Sequence, residues 1–483
     1  MTESTPLPTK SGNRLFVIIL AVVMASCSAN RSIVVQQKLG PVVCRHYNGA
    51  DATLLQVTDN YFPSGWLPFK SDVRRYGSSL AEFLAFKYNI PLHVFAYDIK
   101  NHELNEFSLT GRGGVSIYYP SCIAIYNKQK LDAKILEIGA ITQRIPTTLS
   151  YGCGKTDYAV ELPGYILGGR NSAYTAWDSG DTAATWYGEN CGHAGRIDFS
   201  QTSNLRARPC SGRFFSDTQN NASPEQAAAF VEEQVRLAVE SNGFYLNFMH
   251  WHDMSRRNNA AHGVPLMSLL FESMAKGADN ARIAKADYNQ AVEYLYLKES
   301  IEYLSLKKIR RTAYLDIRLN KFREIDYTVI NTPLTIRINK EKTRQLNYKK
   351  IIPGGQIRSI RQDEKYLYLN ISIDMTKDEI RIPFTLSSGK KVHPSAWAMP
   401  VLTFDEASHK VYSSIPVKFV LFRKGIMAPE YAVELIDRTY IPANSFILPA
   451  TEKDYRYFAG AITPEGESLV IELSFGNQGQ TLQ

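Results

Sequence analysis

A chain of 483 residues is far longer than one small core needs and points to two or three domains. At 44% hydrophobic and 21% charged residues it has the composition of a folded globular protein, which excludes a wholly disordered chain. The formal charge of +8 is modest for this length, and lysines and arginines lie scattered among acids rather than in a stripe, which argues against a nucleic-acid-binding surface.

The first element is an apolar run, Leu15 to Ser26, preceded by Lys10 and Arg14. It is short for a membrane span and has the three-part form of a signal peptide. It ends in Met24-Ala25-Ser26-Cys27, which resembles a bacterial lipobox. The resemblance implies a signal peptide over 1–26, lipidation of Cys27, and an extracytoplasmic protein that meets the membrane through its lipid anchor only. Five cysteines then remain, Cys44, Cys122, Cys153, Cys191 and Cys210, so at least one is unpaired within the chain. Cys191 with Cys210 is the first pair to consider, but connectivity is not readable from sequence. No close Cys/His set suggests a structural zinc.

A lead-in over 27–45 contains IVVQQ, a candidate edge strand. The run ATLLQVT, residues 52–58, reads as a buried strand ending at Asp59 and Asn60. A loop rich in aromatics follows, then helical spacing over 79–88 through Leu80, Phe83, Leu84 and Tyr88. PLHVFAYD, residues 91–98, is another strand, giving an α/β unit with parallel strands. Residues 100–222 read as loop-rich, the kind of segment that carries binding loops. Ser223, Pro224 and Gln226 start a helix that Asn242 and Gly243 stop. FYLNFM, residues 244–249, is the next strand, with His250, Trp251, His252 and Asp253 at its C-terminal end. Helices are expected at about 264–275 and 284–305. After about residue 312 the period changes to two. YLDIRL, PLTIRIN, YLYLNISID, IRIPF, VKFVLF and LVIELSF are short strands, suggesting a β-sandwich.

Acids and histidines at strand ends give the chain a named likeness. Over roughly 46–310 it resembles the polysaccharide deacetylase superfamily of NodB-like carbohydrate esterases. Asp59 of the TDN phrase matches that family's catalytic Asp, while Asn60 stands where a metal-ligand Asp is expected. The phrase Glu137-Ile138-Gly139 matches the lead into the two metal-binding histidines, whose positions would then be Ile141 and Ile145. GGRNSAY offers Arg170 and Tyr174 for the Arg-containing loop, and FYLNFMHWHD offers His250, or His252 with Asp253. The resemblance implies a distorted (β/α) barrel over 46–315, followed by a sandwich-like domain over 316–483. It also implies loss of the Asp-His-His metal site, since isoleucine coordinates nothing. A divalent metal is therefore disfavoured, with Asp59, Asn60, His250 and His252 as its weak candidate ligands, and no other cofactor is expected.

Residues two apart on a strand share a side, so His250 and His252 could meet one ligand, with Asp253 orienting a ring. Asp59 is the leading single candidate, a base at a strand end. Trp66 and Trp251 could stack on sugars, and Arg170 and Tyr174 could bind their hydroxyls or a carboxylate; a core ring or a loop salt bridge explains each as well. His193 and His262 have ordinary loop settings, and Trp177, Asp178 and Asp181 fit a turn equally. No Gly-x-Ser-x-Gly elbow or HExxH occurs. The expected function is binding or modification of polysaccharide by an exported lipoprotein with altered or degenerate deacetylase-like chemistry. The alternatives are a metal-dependent deacetylase, an envelope glycan-binding protein without catalysis, and an exported glycoside hydrolase. The last needs two facing acids, first Asp59 with Glu137 or Asp253.

Overall fold

The computed structural model describes residues 40–60, 70–96, 113–119, 128–151, 163–171, 224–240, 242–250, 263–309, 312–321, 325–341, 356–385 and 397–475. In chain order it begins with β1 (Val42–Val43), β2 (Thr53–Asn60), α1 (Lys70–Lys87), β3 (Leu92–Ala96) and β4 (Gly113–Tyr119). Then come α2 (Lys128–Thr142), β5 (Thr148–Tyr151), β6 (Gly168–Asn171), α3 (Pro224–Glu240), β7 (Phe244–His250), α4 (Gly263–Ala278) and α5 (Tyr288–Glu299). The segment read as loop-rich, 100–222, thus contains three strands of the central sheet and a full helix. Short parallel strands such as TLSY offer too few residues for a periodic signal. The candidate edge strand at 33–37 and the Cys191–Cys210 pair lie outside the described residues.

β6, β5, β4, β3, β2 and β7 form, in that order, a curled sheet in which every neighbouring pair is parallel. A parallel sheet is covered on both faces, so its strands read as continuous apolar runs; in β2 each residue from Thr53 to Thr58 is buried. α1 keeps Leu80, Ala81, Leu84 and Ala85 buried. α3 buries Ala228, Val231, Val235 and Ala238. α4 crosses α3 closely at Gly277, where a Cβ would lie 2.8 Å from that of Val235.

The other face of the sheet receives α5. Asp287 caps α5 in a reciprocal box with Gln290. The helix expected to run to 305 stops at Ser300, whose Oγ donates to the Tyr296 carbonyl oxygen. The chain then turns at once into a strand, because Ile301 onward pairs with the strand after it rather than repeating a helical face.

The remaining strands are antiparallel: β8 (Ile301–Ile309), β9 (Thr312–Leu319), β10 (Leu334–Asn339), β11 (Ile357–Gln362), β12 (Tyr366–Ile371), β13 (Glu379–Thr385), β14 (Leu402–Asp405), β15 (Lys410–Gly425), β16 (Val433–Arg438), β17 (Ala443–Ile447), β18 (Tyr455–Ile462) and β19 (Ser468–Leu473). They fall into three sheets, β13-β9-β8, β1-β10-β12-β11, and a six-stranded sheet built on the long β15. In β12 Leu367, Leu369 and Ile371 alternate on one face, yet Tyr368 and Asn370 are buried too, so both faces are covered.

α1 joins the two halves. Phe83 meets Phe422 and Phe458 edge-on at 5.3 and 5.4 Å. Glu82 and Arg438, both buried, pair at 3.4 Å. Asn89 donates to Glu467 at 2.7 Å. One apolar cluster consequently runs from Tyr47 to Ile462. Among the described residues no helix is long and apolar enough to cross a bilayer.

Candidate functional site at the C-terminal edge of the parallel sheet

The two edges of the parallel sheet are built differently. At the N-terminal edge the chain returns quickly: four residues separate α1 from β3, and three separate α3 from β7. At the C-terminal edge the departures are longer, with residues 61–69 after β2, 97–112 after β3, 172–223 after β6 and 251–262 after β7. Connections at strand C-termini are where α/β proteins collect their binding groups.

Asp59 and His250 come together at that edge. β2 and β7 are adjacent and parallel, and Asp59 is the register partner of His250. On its other side Asp59 pairs with Phe95, which pairs with Ser116. By the two-residue alternation, the face of Phe95 and Ser116 also carries positions 118, 150 and 170, since Tyr118 pairs with Ser150 and Ser150 with Arg170. Arg170 is thus on the same face as Asp59 but four strands away in sheet order. Ser150, fully buried, was not singled out in the sequence; its only signal there is the short TTLSY run. Trp66 falls in the connection after β2, Tyr174 in that after β6, and Trp251, His252 and Asp253 in that after β7; all five, and Cys27, lie outside the described residues. So do His193, His262, Trp177, Asp178 and Asp181.

The same face is closed lower down by α5 and a buried polar network. Asn289 Oδ1 accepts from Ser116 at 2.8 Å, Thr148 at 2.6 Å and the Thr147 amide at 3.1 Å. Arg144 donates to Glu293 at 2.7 Å and to Asp287 at 3.3 Å. Glu293 also accepts from the Thr332 hydroxyl at 2.7 Å and amide at 3.2 Å. Burial works against the Arg144 charge, but Glu293 and Asp287 outweigh it and hold its pKa above the ordinary value. His93 lies 3.8 Å from Asp287 and edge-on to Phe95, with Tyr288 beside both rings. These acids are committed to Arg144 and to amides, so the network seals the sheet rather than offering free acid/base groups.

The Glu-Ile-Gly phrase lies elsewhere. Glu137, Ile138 and Gly139 are inside α2, with Ile138 packed in the core. Ile141 is in the last turn of α2 and Ile145 just beyond, where the chain returns to the N-terminal edge. The phrase therefore does not lead into the edge that holds Asp59, and a loss of metal histidines no longer follows from it. Glu137 faces solvent, 44% exposed, and pairs with Lys134 at 2.9 Å. This placement does not bring Glu137 to the strand end that holds Asp59. Among the described residues no group of three metal-ligating side chains occurs.

Two residues at the start of the described chain, Cys44 and His46, are structural. Cys44 is a free, buried thiol whose pKa burial pushes up to about 12. His46 is fully buried, with Nδ1 2.8 Å from Thr53 Oγ1 and Nε2 2.9 Å from the Asn242 carbonyl oxygen. Since a carbonyl only accepts, Nε2 carries the proton and Nδ1 accepts from Thr53. Burial lowers its pKa to about 4.

No family model matches the chain, and no curated protein matches it. Among solved structures, a putative polysaccharide deacetylase from Mycobacterium smegmatis aligns with 54% of this chain and 96% of its own, at 13% identity and a TM-score of 0.36. The Bc1960 peptidoglycan N-acetylglucosamine deacetylase, solved with a naphthalenyl N-hydroxybenzamide, aligns with 50% of this chain and 87% of its own, at 9% identity and a TM-score of 0.25. At these scores neither likeness carries a residue assignment or a reaction over to this chain.

Proposed function

We propose that this is an exported, lipid-anchored protein that acts on polysaccharide by removing an acyl group, with Asp59 and His250 as its acid/base pair. The observation that carries the reading is their register partnership at the end of two adjacent parallel strands. Asp59 takes the proton of the water that attacks the acyl carbonyl, and His250 gives one to the departing sugar oxygen or nitrogen. Arg170 and Tyr174 bind the saccharide, Trp66 and Trp251 stack on it, and His252 with Asp253 orients the His250 side of the site. The parallel sheet is then the open part of a deacetylase-like barrel, and residues 316–483 are a sandwich-like companion. A divalent ion, if held by Asp59 and His250 with Asn60 or His252 as further ligands, would polarise the acyl carbonyl in place of their acid/base role.

The test incubates the full chain, in detergent, with acetylated xylan and chito-oligosaccharide and measures free acetate, new reducing ends and bound metal. Acetate release that Asp59→Asn and His250→Gln each abolish supports the reading. Reducing ends without acetate would replace it with glycoside hydrolysis. Polysaccharide binding with no product, unchanged in both variants, would leave a binding protein without this chemistry.

A further inference from the structure

The sheet β1-β10-β12-β11 turns one face to the main core, while its other face carries the small buried cluster of Cys44, Tyr368 and Trp397 with arginines around it. Ile336, Ile338, Ile360, Leu367 and Leu369 belong to the core. On the opposite face Arg337 of β10 and Arg361 of β11 are both register partners of Tyr368 on β12, which lies between them. Strand spacing puts the two arginine backbones roughly 9–10 Å apart. The Arg361 guanidinium lies 3.8 Å over the Tyr368 ring and 5.3 Å from that of Trp397. Arg337 sits 4.5 Å over Tyr366, and Arg282 is 5.5 Å from Tyr368. The platform is rigid from behind: Gly49, at φ 60°, backs onto Tyr368 where a Cβ would come within 2.6 Å of the ring, and Trp397 Nε1 donates to Ser359 at 2.7 Å.

Among the described residues the acids near this face are already engaged, Glu465 accepting from Asn370 at 2.9 Å and from Tyr47 at 3.4 Å. Asp51 is bonded to Arg282. Asp363 faces Arg361, but its carboxylate is already held by the amides of Lys365 and Tyr366 at 2.9 and 2.7 Å. Among the described residues no carboxylate forms an ion pair with Arg337 or Arg361. Nε and Nη2 of Arg361 are shielded from water without an acceptor in hydrogen-bonding geometry. Burial, then the charge of Arg282, pulls the Arg361 pKa below the ordinary arginine value, against the opposing effects of Tyr368 and Asp363. The tyrosine faces carry guanidinium planes, so this surface offers a ligand charge and forked donors rather than bare rings for sugar stacking.

We propose that this face, centred on Arg337 and Arg361, binds the anionic groups of an acidic saccharide, a carboxylate or a phosphate. The saccharide rests on the function proposed above; the anion site rests on this sheet alone. The test measures affinity of the full chain for oligogalacturonate, glucose 6-phosphate, neutral maltohexaose and sodium phosphate, at low and high salt. Arg337→Gln, Arg361→Gln and Arg361→Lys are compared with the parent, and melting temperatures show whether each folds. The expected result is acidic-sugar binding that weakens with salt and by roughly tenfold or more in Arg337→Gln and Arg361→Gln. The preference between oligogalacturonate and glucose 6-phosphate then names the anion. If Arg361→Gln fails to fold, the half-buried Arg337 carries the test. Sodium phosphate binding lost in Arg337→Gln, with no saccharide bound, would keep an anion site but overturn the saccharide as its ligand, leaving the acyl-release reading to its own test. Maltohexaose bound as tightly as the acidic sugars, no anionic probe bound at all, or an Arg337→Gln variant with unchanged affinity for every anion, would overturn the proposal.

Discussion

The two ends of the covered face of the parallel sheet use ionisable groups in opposite ways. Toward the N-terminal edge, Arg144, Asp287 and Glu293 are locked to one another and to Thr147 and Thr332, in a region the chain crosses with short returns. At the C-terminal edge an acid and a histidine occupy partnered positions, and the long connections leave from there. A buried charge held by several hydrogen bonds is a fastening; a pair of strand-end positions from which long connections depart is a candidate for chemistry. The same residue types therefore do structural work at one end and are proposed to do chemical work at the other.

Substitution at each end should separate the two roles. Asp59→Asn is expected to lower acyl-group release by roughly 10²–10⁴-fold while leaving the unfolding free energy within about 0.5 kcal/mol of the parent. An equal loss of stability would make Asp59 another fastening. Glu293→Ala should do the reverse. It strands the Arg144 charge and costs about 3–5 kcal/mol of stability, read by urea unfolding, and activity should fall only with the folded fraction.

A third substitution concerns acid. His46 is neutral in the folded chain because burial lowers its pKa from 6.5 to about 4. Between those values the unfolded chain binds a proton that the folded chain does not, so stability rises with pH across the window and falls on acidification. The contribution is complete above about pH 6.5, and ~3 kcal/mol of it is gone at pH 4. His46→Gln cannot charge, so its unfolding free energy should fall less between pH 7 and pH 4.5. An unchanged slope would place the acid sensitivity elsewhere.

What could be read in the sequence follows from how much signal each element carries. β2 and β7 were legible because each is a continuous apolar run ending in polar residues, and those endings brought Asp59 and His250 into consideration. α3 was legible from its cap and its buried stripe. β5 and β6 were not, since four residues buried on both faces give no alternation. The helical spacing continues past the end of α5 because Tyr303 and Leu304 extend it by chance, while the pairing that makes Ile301–Ile309 a strand comes from β9, further along the chain. The register that joins Asp59 to His250 is likewise non-local, spanning nearly two hundred residues of sequence. Tyr368 between Arg337 and Arg361 needed three strands to be aligned before it became visible.

The smallest expected effect tests the reading that sequence made most tempting. Glu137 stands in a phrase that resembles a metal-site motif, yet it is on the outer surface of α2 with Lys134 as its partner. An exposed pair of this kind contributes about 0–1 kcal/mol, and less at high salt. Glu137→Gln should accordingly shift the unfolding midpoint barely at all and leave activity, metal content and saccharide affinity at the parent values. A substantial loss of any functional reading with stability intact would mean that α2 lies closer to the chemistry than its place between β4 and β5 allows. It would also restore the Glu-Ile-Gly phrase as part of the site. A silent Glu137→Gln beside an inactive Asp59→Asn would confine the chemistry to the strand ends.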